Sequence, residues 1–153
     1  MTILLVRHAD AGSRSTWHDD DAMRPLSARG DVQAKALIAL LDNYRIDRIL
    51  TSSYVRCRQT VEPLAVARAL QVSEDPALLE GASERATMEL VDRLMTTDAV
   101  LCSHGDVIGA LVSNLERLGL EAASKLRWQK GSVWALKTVD GVFTTARYFP
   151  PPL

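Results

Sequence analysis

The chain is poor in the residues that mark several protein classes. It has two cysteines in 153 residues, too few for the disulfide framework of a small secreted domain. Cys57 falls in a helical pattern and Cys102 in a buried-strand pattern, so both are expected as reduced thiols. No apolar run approaches the roughly 20 residues that cross a bilayer. The apolar start, Met1-Thr2-Ile3-Leu4-Leu5-Val6, lacks a basic leader and is too short for a signal peptide, so a cytoplasmic location is expected. The formal net charge of −1 gives no global pull on nucleic acid or an anionic membrane, and neither is expected as a partner. Any affinity for anions must come from a local cluster. Histidine is scarce too, at three residues.

What remains is the composition of a soluble globular protein, 47% hydrophobic and 24% charged. The length suits a single domain over residues 1–153 with its own core, and a monomer is compatible with it. Ile3 to Val6 reads as a central strand because it is continuously apolar. Residues 9–22 read as loop. Ser27 reads as the N-cap of a helix to about Asn43, with Val32, Ala36, Leu37, Leu40 and Leu41 inward. Ile46 to Thr51 reads as a strand. A helix from about Tyr54 to Leu70 follows, apolar at Val55, Val61, Leu64, Ala65 and Ala69, which Pro63 is expected to kink or split. Gln71 to Glu74 suits a short strand, and Ser83 to Met95 a helix with Met88, Val91, Leu94 and Met95 inward. Ala99 to Cys102 is a second buried strand, and Asp106 to Leu118 a helix. Ser132 to Thr138 and Val142 to Tyr148 alternate around Asp140-Gly141, a hairpin signal.

Strands alternating with helices imply an α/β three-layer sandwich with a mostly parallel central sheet. Ligands of such sheets sit at the carboxyl ends of the strands. Arg7-His8 and Ser103-His104 both fall there, so distant segments can converge on one crevice. Two strand-end histidines near arginines suit phosphoryl chemistry: an imidazole nitrogen is a nucleophile, and guanidinium forks match phosphate oxygens.

Four segments carry a resemblance when read in order. They are Arg7-His8-Ala9; Leu26-Ser27-Ala28-Arg29-Gly30-Asp31-Val32-Gln33-Ala34; Ser52 to Thr60 with Arg56, Gln59 and Thr60; and Ser103-His104-Gly105. Together they resemble the histidine phosphatase superfamily, with its phosphoglycerate-mutase-like fold. The resemblance implies that His8 attacks phosphorus and becomes a phosphohistidine, that Arg7 and Arg56 hold the phosphoryl oxygens, and that His104 adds a hydrogen bond. It implies no metal and no cofactor. By position Glu80, in Leu78-Leu79-Glu80-Gly81, resembles the acid that protonates the leaving group. Arg24, in Arg24-Pro25-Leu26-Ser27, resembles a further phosphate contact of the small phosphohistidine-phosphatase branch. Ala9 stands in place of the family's glycine and Ser53 where proline is common.

Thr60 to Ala99 leaves little room for the lid insertion of the larger relatives. An uncovered pocket points first to a bulky substrate, phosphohistidine on a protein. Ala11-Gly12-Ser13, Val55-Arg56-Cys57, Val61 to Ala65 and Lys130 to Trp134 also resemble the phosphatase-like module fused to Nudix hydrolases in actinobacteria, which keeps nucleotides and other small phosphates or diphosphates open. A non-catalytic phosphate-binding module is the third reading. The partner is accordingly a phosphorylated protein or a small phosphorylated metabolite.

Other features have plainer readings. His18-Asp19-Asp20-Asp21 is too contiguous to converge on a metal and reads as a solvated loop at the pocket rim, repelling small anions. Neither cysteine begins a Cys-x5-Arg pattern, since Pro63 and Ile108 stand where arginine is needed. Trp128 and Trp134 are expected at the sheet edge. Lys125, Arg127 and Lys130 form either a solvated basic face or a contact to a distal phosphate.

Overall fold

The computed structural model describes residues 1–122 and 125–152. Seven strands form one mixed sheet: β1 (Thr2–Arg7), β2 (Arg48–Thr51), β3 (Val72–Glu74), β4 (Ala99–Ser103), β5 (Glu121–Ala122), β6 (Val133–Val139) and β7 (Val142–Phe149). Four helices accompany them: α1 (Ala28–Leu40), α2 (Val55–Arg68), α3 (Glu84–Arg93) and α4 (Gly105–Arg117). The strand order is β3-β2-β4-β1-β6-β7-β5. β1 pairs parallel with β4, and β2 parallel with both β3 and β4, while β6 runs antiparallel to β1 and β7.

The pleat explains the three layers. On β1, Ile3 and Leu5 face a core shared with Leu90 and Val91 of α3 and Ile108 and Leu111 of α4. Leu4 and Val6 face the other way, onto Leu37 of α1 and Val61 and Leu64 of α2. Both faces of β1 are covered, so its buried stretch, Ile3 to Val6, must be apolar on both sides. At the far end of the sheet, Asp140 (φ 52°) and Gly141 (φ 74°) turn β6 into β7, the pair of left-handed residues that a two-residue hairpin turn requires. Among the described residues no helix is long and apolar enough to span a membrane.

Several details differ from the sequence reading. Val32 is 55% exposed. α1 is rotated so that Gln33, Ala34 and Leu37 face inward, because the Gln33 side chain accepts the Asp10 N–H at 2.9 Å. Ala36 and Leu40 are half-buried, and α1 ends at Leu40. Pro63 neither splits nor shortens α2. It sits on a half-buried position between Val61 and Leu64, whose burial holds the helix on both sides of the missing N–H. Ala69 is the exposed, left-handed residue that ends α2. In α3 the buried positions are Thr87, Leu90 and Val91, with Met88 and Met95 half-buried. Short 3-10 turns at Arg14–Thr16 and Asp21–Met23 structure the stretch that reads as loop, and a third lies at Pro76–Leu78. Trp134 lies on β6 inside the sheet, fully buried, with its N–H on the Arg127 carbonyl at 2.7 Å. Trp128 packs on α4 at Gly109.

The loop after β1 is pinned to the start of α1. Ser27 caps the helix through the Gly30 N–H, and its hydroxyl also reaches the Asp10 carboxylate at 2.6 Å. Gly30 packs so closely here that a Cβ would overlap the Asp10 carbonyl oxygen. Gly30→Ala is therefore expected to lower stability by about 1–3 kcal/mol in urea denaturation; an unchanged midpoint would show that the loop yields freely.

Candidate active site

The parallel register of β1 and β4 sets Arg7 opposite Ser103. The residue after each strand is a histidine, and the His8 N–H donates to the Ser103 carbonyl at 3.0 Å. The two rings therefore meet edge to face, their centroids 5.5 Å apart. β2 lies on the other side of β4, and Ser52 at its end bonds the Cys102 carbonyl through its N–H. This brings the Ser52 hydroxyl to 2.9 Å from His104 Nε2. Arg56 enters from the first turn of α2 and is fully buried.

His8 is 4% exposed. Its Nδ1 lies 2.9 Å from the Ala9 carbonyl. A carbonyl can only accept, so Nδ1 carries the proton and Nε2 keeps its lone pair. Burial depresses the His8 pKa from 6.5 to about 3, assisted by His104, Arg56 and Arg7, against the opposing bond to Ala9. The ring is thus a neutral nucleophile in a cationic setting.

The donors around it are not saturated. Arg7 gives one terminal nitrogen to the Trp128 carbonyl at 2.8 Å. Arg56 gives both of its terminal nitrogens to Asp21, one to the carbonyl at 2.8 Å and one to the carboxylate at 3.0 Å. Yet Arg7 Nε, Arg56 Nε and His104 Nδ1 are buried without a partner. Each orphaned group of this kind costs about 1–3 kcal/mol. Such a cost persists where a ligand supplies the missing acceptors. Gly105 gives Arg7 its space: a Cβ there would come within 2.9 Å of the Arg7 guanidinium carbon.

Glu80 reaches the site. The Ser103 hydroxyl donates to the Leu78 carbonyl at 2.6 Å, and the Gly81 N–H to the Asp106 carboxylate at 2.9 Å. Between these two ties the Glu80 carboxylate stands 3.0 Å from Arg14, 3.5 Å from Arg56 and 3.9 Å from His104 Nδ1. Arg24 is also buried and lines the cavity. One of its terminal nitrogens holds the Ala11 carbonyl and its Nε the Asp21 carboxylate, so it shapes the loop as well as facing the cavity.

Asp21 is a residue that the sequence reading misplaced. It is no solvated rim charge: it pairs with Arg24, Arg56 and Arg14. Burial opposes its ionisation, but the hydrogen bonds from Arg24 and Arg56 hold its carboxyl below the ordinary value. Its neighbours diverge, with Asp20 capping the turn at Ala22 and His18 exposed. Among the described residues no group of three or more His, Cys, Asp or Glu side chains could hold a metal ion. Gln33, Gln59 and Thr60 carry roles that their spacing did not state. They accept the backbone N–H groups of Asp10, Leu26 and Ala9, which fixes the loops around His8.

The result is an open cavity of about 730 Å³ lined by Arg7, His8, Arg24, Arg56, Glu80 and His104, with Arg14 and Lys130 at its sides. A groove of about 430 Å³ adjoins it, sharing Arg7, Gly105 and Asp106. Of the basic stretch, only Lys130 lines the cavity; Lys125 is exposed, and Arg127 lies over the Tyr148 ring. Cys57 and Cys102 are buried free thiols, Cys57 at 3.6 Å from His104 Nε2.

A neutral histidine in a cavity with unpartnered guanidinium nitrogens, at the strand ends of an α/β sheet, is chemically suited to a phosphate group. The sequence agrees: residues 3–85 match the family model of the histidine phosphatase superfamily, branch 1. The chain belongs to that superfamily. It is 34% identical, over 99% of its length and 48% of the relative's, to an 8-oxo-(d)GTP phosphatase of Mycolicibacterium smegmatis. It is 30% identical, over 58% of its length and 52% of the relative's, to an uncharacterized protein of Picosynechococcus. The chain thus spans about half the length of the curated relatives it matches. Among solved structures, the protein histidine phosphatase SixA complexed with tungstate superposes with TM-score 0.75 at 22% identity, covering 94% of this chain and 93% of that one. The alpha-ribazole phosphatase from Shigella flexneri gives TM-score 0.73 at 19% identity, covering 94% of each chain. These two likenesses establish the phosphoglycerate-mutase-like fold.

Because the folded His8 pKa lies below the unfolded value, the unfolded chain binds the extra proton between about 3 and 6.5. Stability from this group is complete above about pH 6.5 and is lost as pH falls toward 3. The His8 ring is expected to remain a neutral Nδ1–H tautomer at pH 5 by nitrogen-15 NMR. An imidazolium at that pH would contradict the site's electrostatics.

Proposed function

We propose that this chain is a phosphohydrolase that works through a phosphohistidine on His8. The observation that carries the reading is the His8 tautomer: Nδ1 is tied to Ala9 and Nε2 is left free, beside two buried guanidinium N–H groups and a buried His104 nitrogen without partners. The Nε2 lone pair forms a bond to phosphorus while the bond to the leaving group breaks. Arg7, Arg56 and His104 take the charge on the equatorial oxygens. Glu80 in its protonated form gives its proton to a leaving alkoxide. Water then attacks the phosphohistidine, the Glu80 carboxylate takes up the water proton, and inorganic phosphate leaves with His8 restored. Positive charge comes from the guanidinium groups, so the proposed cycle needs no metal or cofactor.

Two substrate classes fit this chemistry. The open cavity supports phosphohistidine on a protein, whose leaving imidazole asks little of Glu80. The M. smegmatis relative supports a nucleotide or a related small phosphate or diphosphate. Lys130 and Arg24, which line the cavity together with Arg7 and Arg56, offer charge for a second phosphate.

A panel of nucleoside diphosphates, sugar phosphates and a phosphohistidine protein separates the classes. His8→Ala is expected to abolish turnover of an aryl phosphate, and Arg56→Ala to cost several orders of magnitude. Normal turnover in His8→Ala would sink the mechanism, and vanadate binding without any hydrolysis would favour the non-catalytic module. Glu80→Gln is expected to slow alkyl phosphates by about 10²–10⁴-fold and p-nitrophenyl phosphate far less. Equal losses on both would remove Glu80 from the acid role.

A further inference from the structure

The groove beside the cavity differs from it in chemistry. Its floor is the face of α4 formed by Gly105, Gly109 and Ala110, with Ser113 further along and Trp128 as its wall. Gly109 is what brings the wall in: a Cβ there would lie 2.7 Å from the Trp128 ring, so only a bare backbone lets the indole rest on the helix. The same tryptophan is fixed to the reaction centre, because its carbonyl accepts the Arg7 guanidinium at 2.8 Å. The ring is half-buried rather than enclosed.

Charge divides the two spaces. The cavity carries Arg7, Arg14, Arg24, Arg56 and Lys130 against Glu80 and Asp106, a cationic excess, whereas the groove has only the shared Arg7 and Asp106, which balance. A second phosphate belongs in the cavity. An uncharged group attached to the transferred phosphoryl belongs in the groove. With the phosphoryl end held where Arg56 Nε and His104 Nδ1 lack partners, that group lies along α4 beside the indole. The groove's volume of about 430 Å³ is within the range of small-ligand sites. An indole beside a helix face of small residues, Gly105, Ala110 and Ser113, suits a flat group.

We infer that this groove is the leaving-group subsite, and that Trp128 selects substrates in which a planar heteroaromatic ring, such as a nucleobase, is joined to the phosphate. The inference rests on the phosphohydrolase reading and favours the nucleotide among its substrate classes. Stacking on an aromatic side chain is worth about 1–3 kcal/mol per base, so the effect is large enough to read in kinetics.

The test compares kcat/KM for GDP, acetyl phosphate and a phosphohistidine peptide in the wild type, Trp128→Ala and Trp128→Phe, with circular dichroism to confirm the fold. Both substitutions retain the backbone carbonyl that holds Arg7. Trp128→Ala is expected to lower the GDP-to-acetyl-phosphate ratio by roughly 5- to 100-fold, mainly through KM, and Trp128→Phe to restore most of it. An equal fall on all three substrates, or a selective fall on the peptide, overturns the inference. So does a wild type that hydrolyses acetyl phosphate but no nucleotide. A wild type that hydrolyses none of the three overturns the phosphohydrolase reading as well, and is recognisable by that general failure.

Discussion

The pairing of β1 with β4 is the constraint on which the site depends. Residues almost a hundred positions apart are placed side by side because Arg7 stands opposite Ser103 in a parallel ladder. The backbone bond from His8 to Ser103 then fixes where both histidines leave the sheet. A slip of one residue would turn every side chain of β1 to the opposite face, and Ile3 and Leu5 would lose the core they share with α3 and α4. The hydrophobic pattern that specifies the fold therefore also specifies the site. β2 extends the same logic, since its pairing with β4 delivers Ser52 to His104.

Electrostatics settles what those positions can do. His8 is held neutral by burial and by the positive groups around it. Asp21 and Glu80 offset that positive charge together: both stand against Arg14 and Arg56, and Asp21 also pairs with Arg24. The three unpartnered nitrogens, of Arg7, Arg56 and His104, are the part of the balance left open. A phosphoryl group supplies acceptors and negative charge together, and so completes both deficits.

The legible part of the sequence was the part with local signals. Continuous apolar runs marked β1, β2 and β4, and Asp140-Gly141 marked the hairpin. Arg7, His8, Arg56 and His104 stood at strand ends or helix starts in family order, and the structure brings them together. Glu80 was placed only by position, and its arrival at the cavity depends on Ser103 and Asp106 holding Leu78 and Gly81. Long-range packing left weaker traces. β5 has two residues and no pattern of its own. The rotation of α1 follows from Gln33 bonding the loop, which a hydrophobic count cannot see. Asp21 sat in an acidic run that reads as solvated, and only its spacing from Arg24 hinted otherwise. The contact of Trp128 with Gly109 joins segments whose pairing no local rule announces.

The central claim is that phosphorus is transferred to Nε2 of His8. Rapid quenching during turnover of phosphorus-32-labelled substrate, followed by mapping of the labelled residue, tests it most directly. The expected result is an acid-labile, alkali-stable label on His8 with phosphorus on Nε2. A label on Nδ1 of His8, on His104 or on either thiol would contradict it, as would steady turnover in which no phosphoenzyme forms.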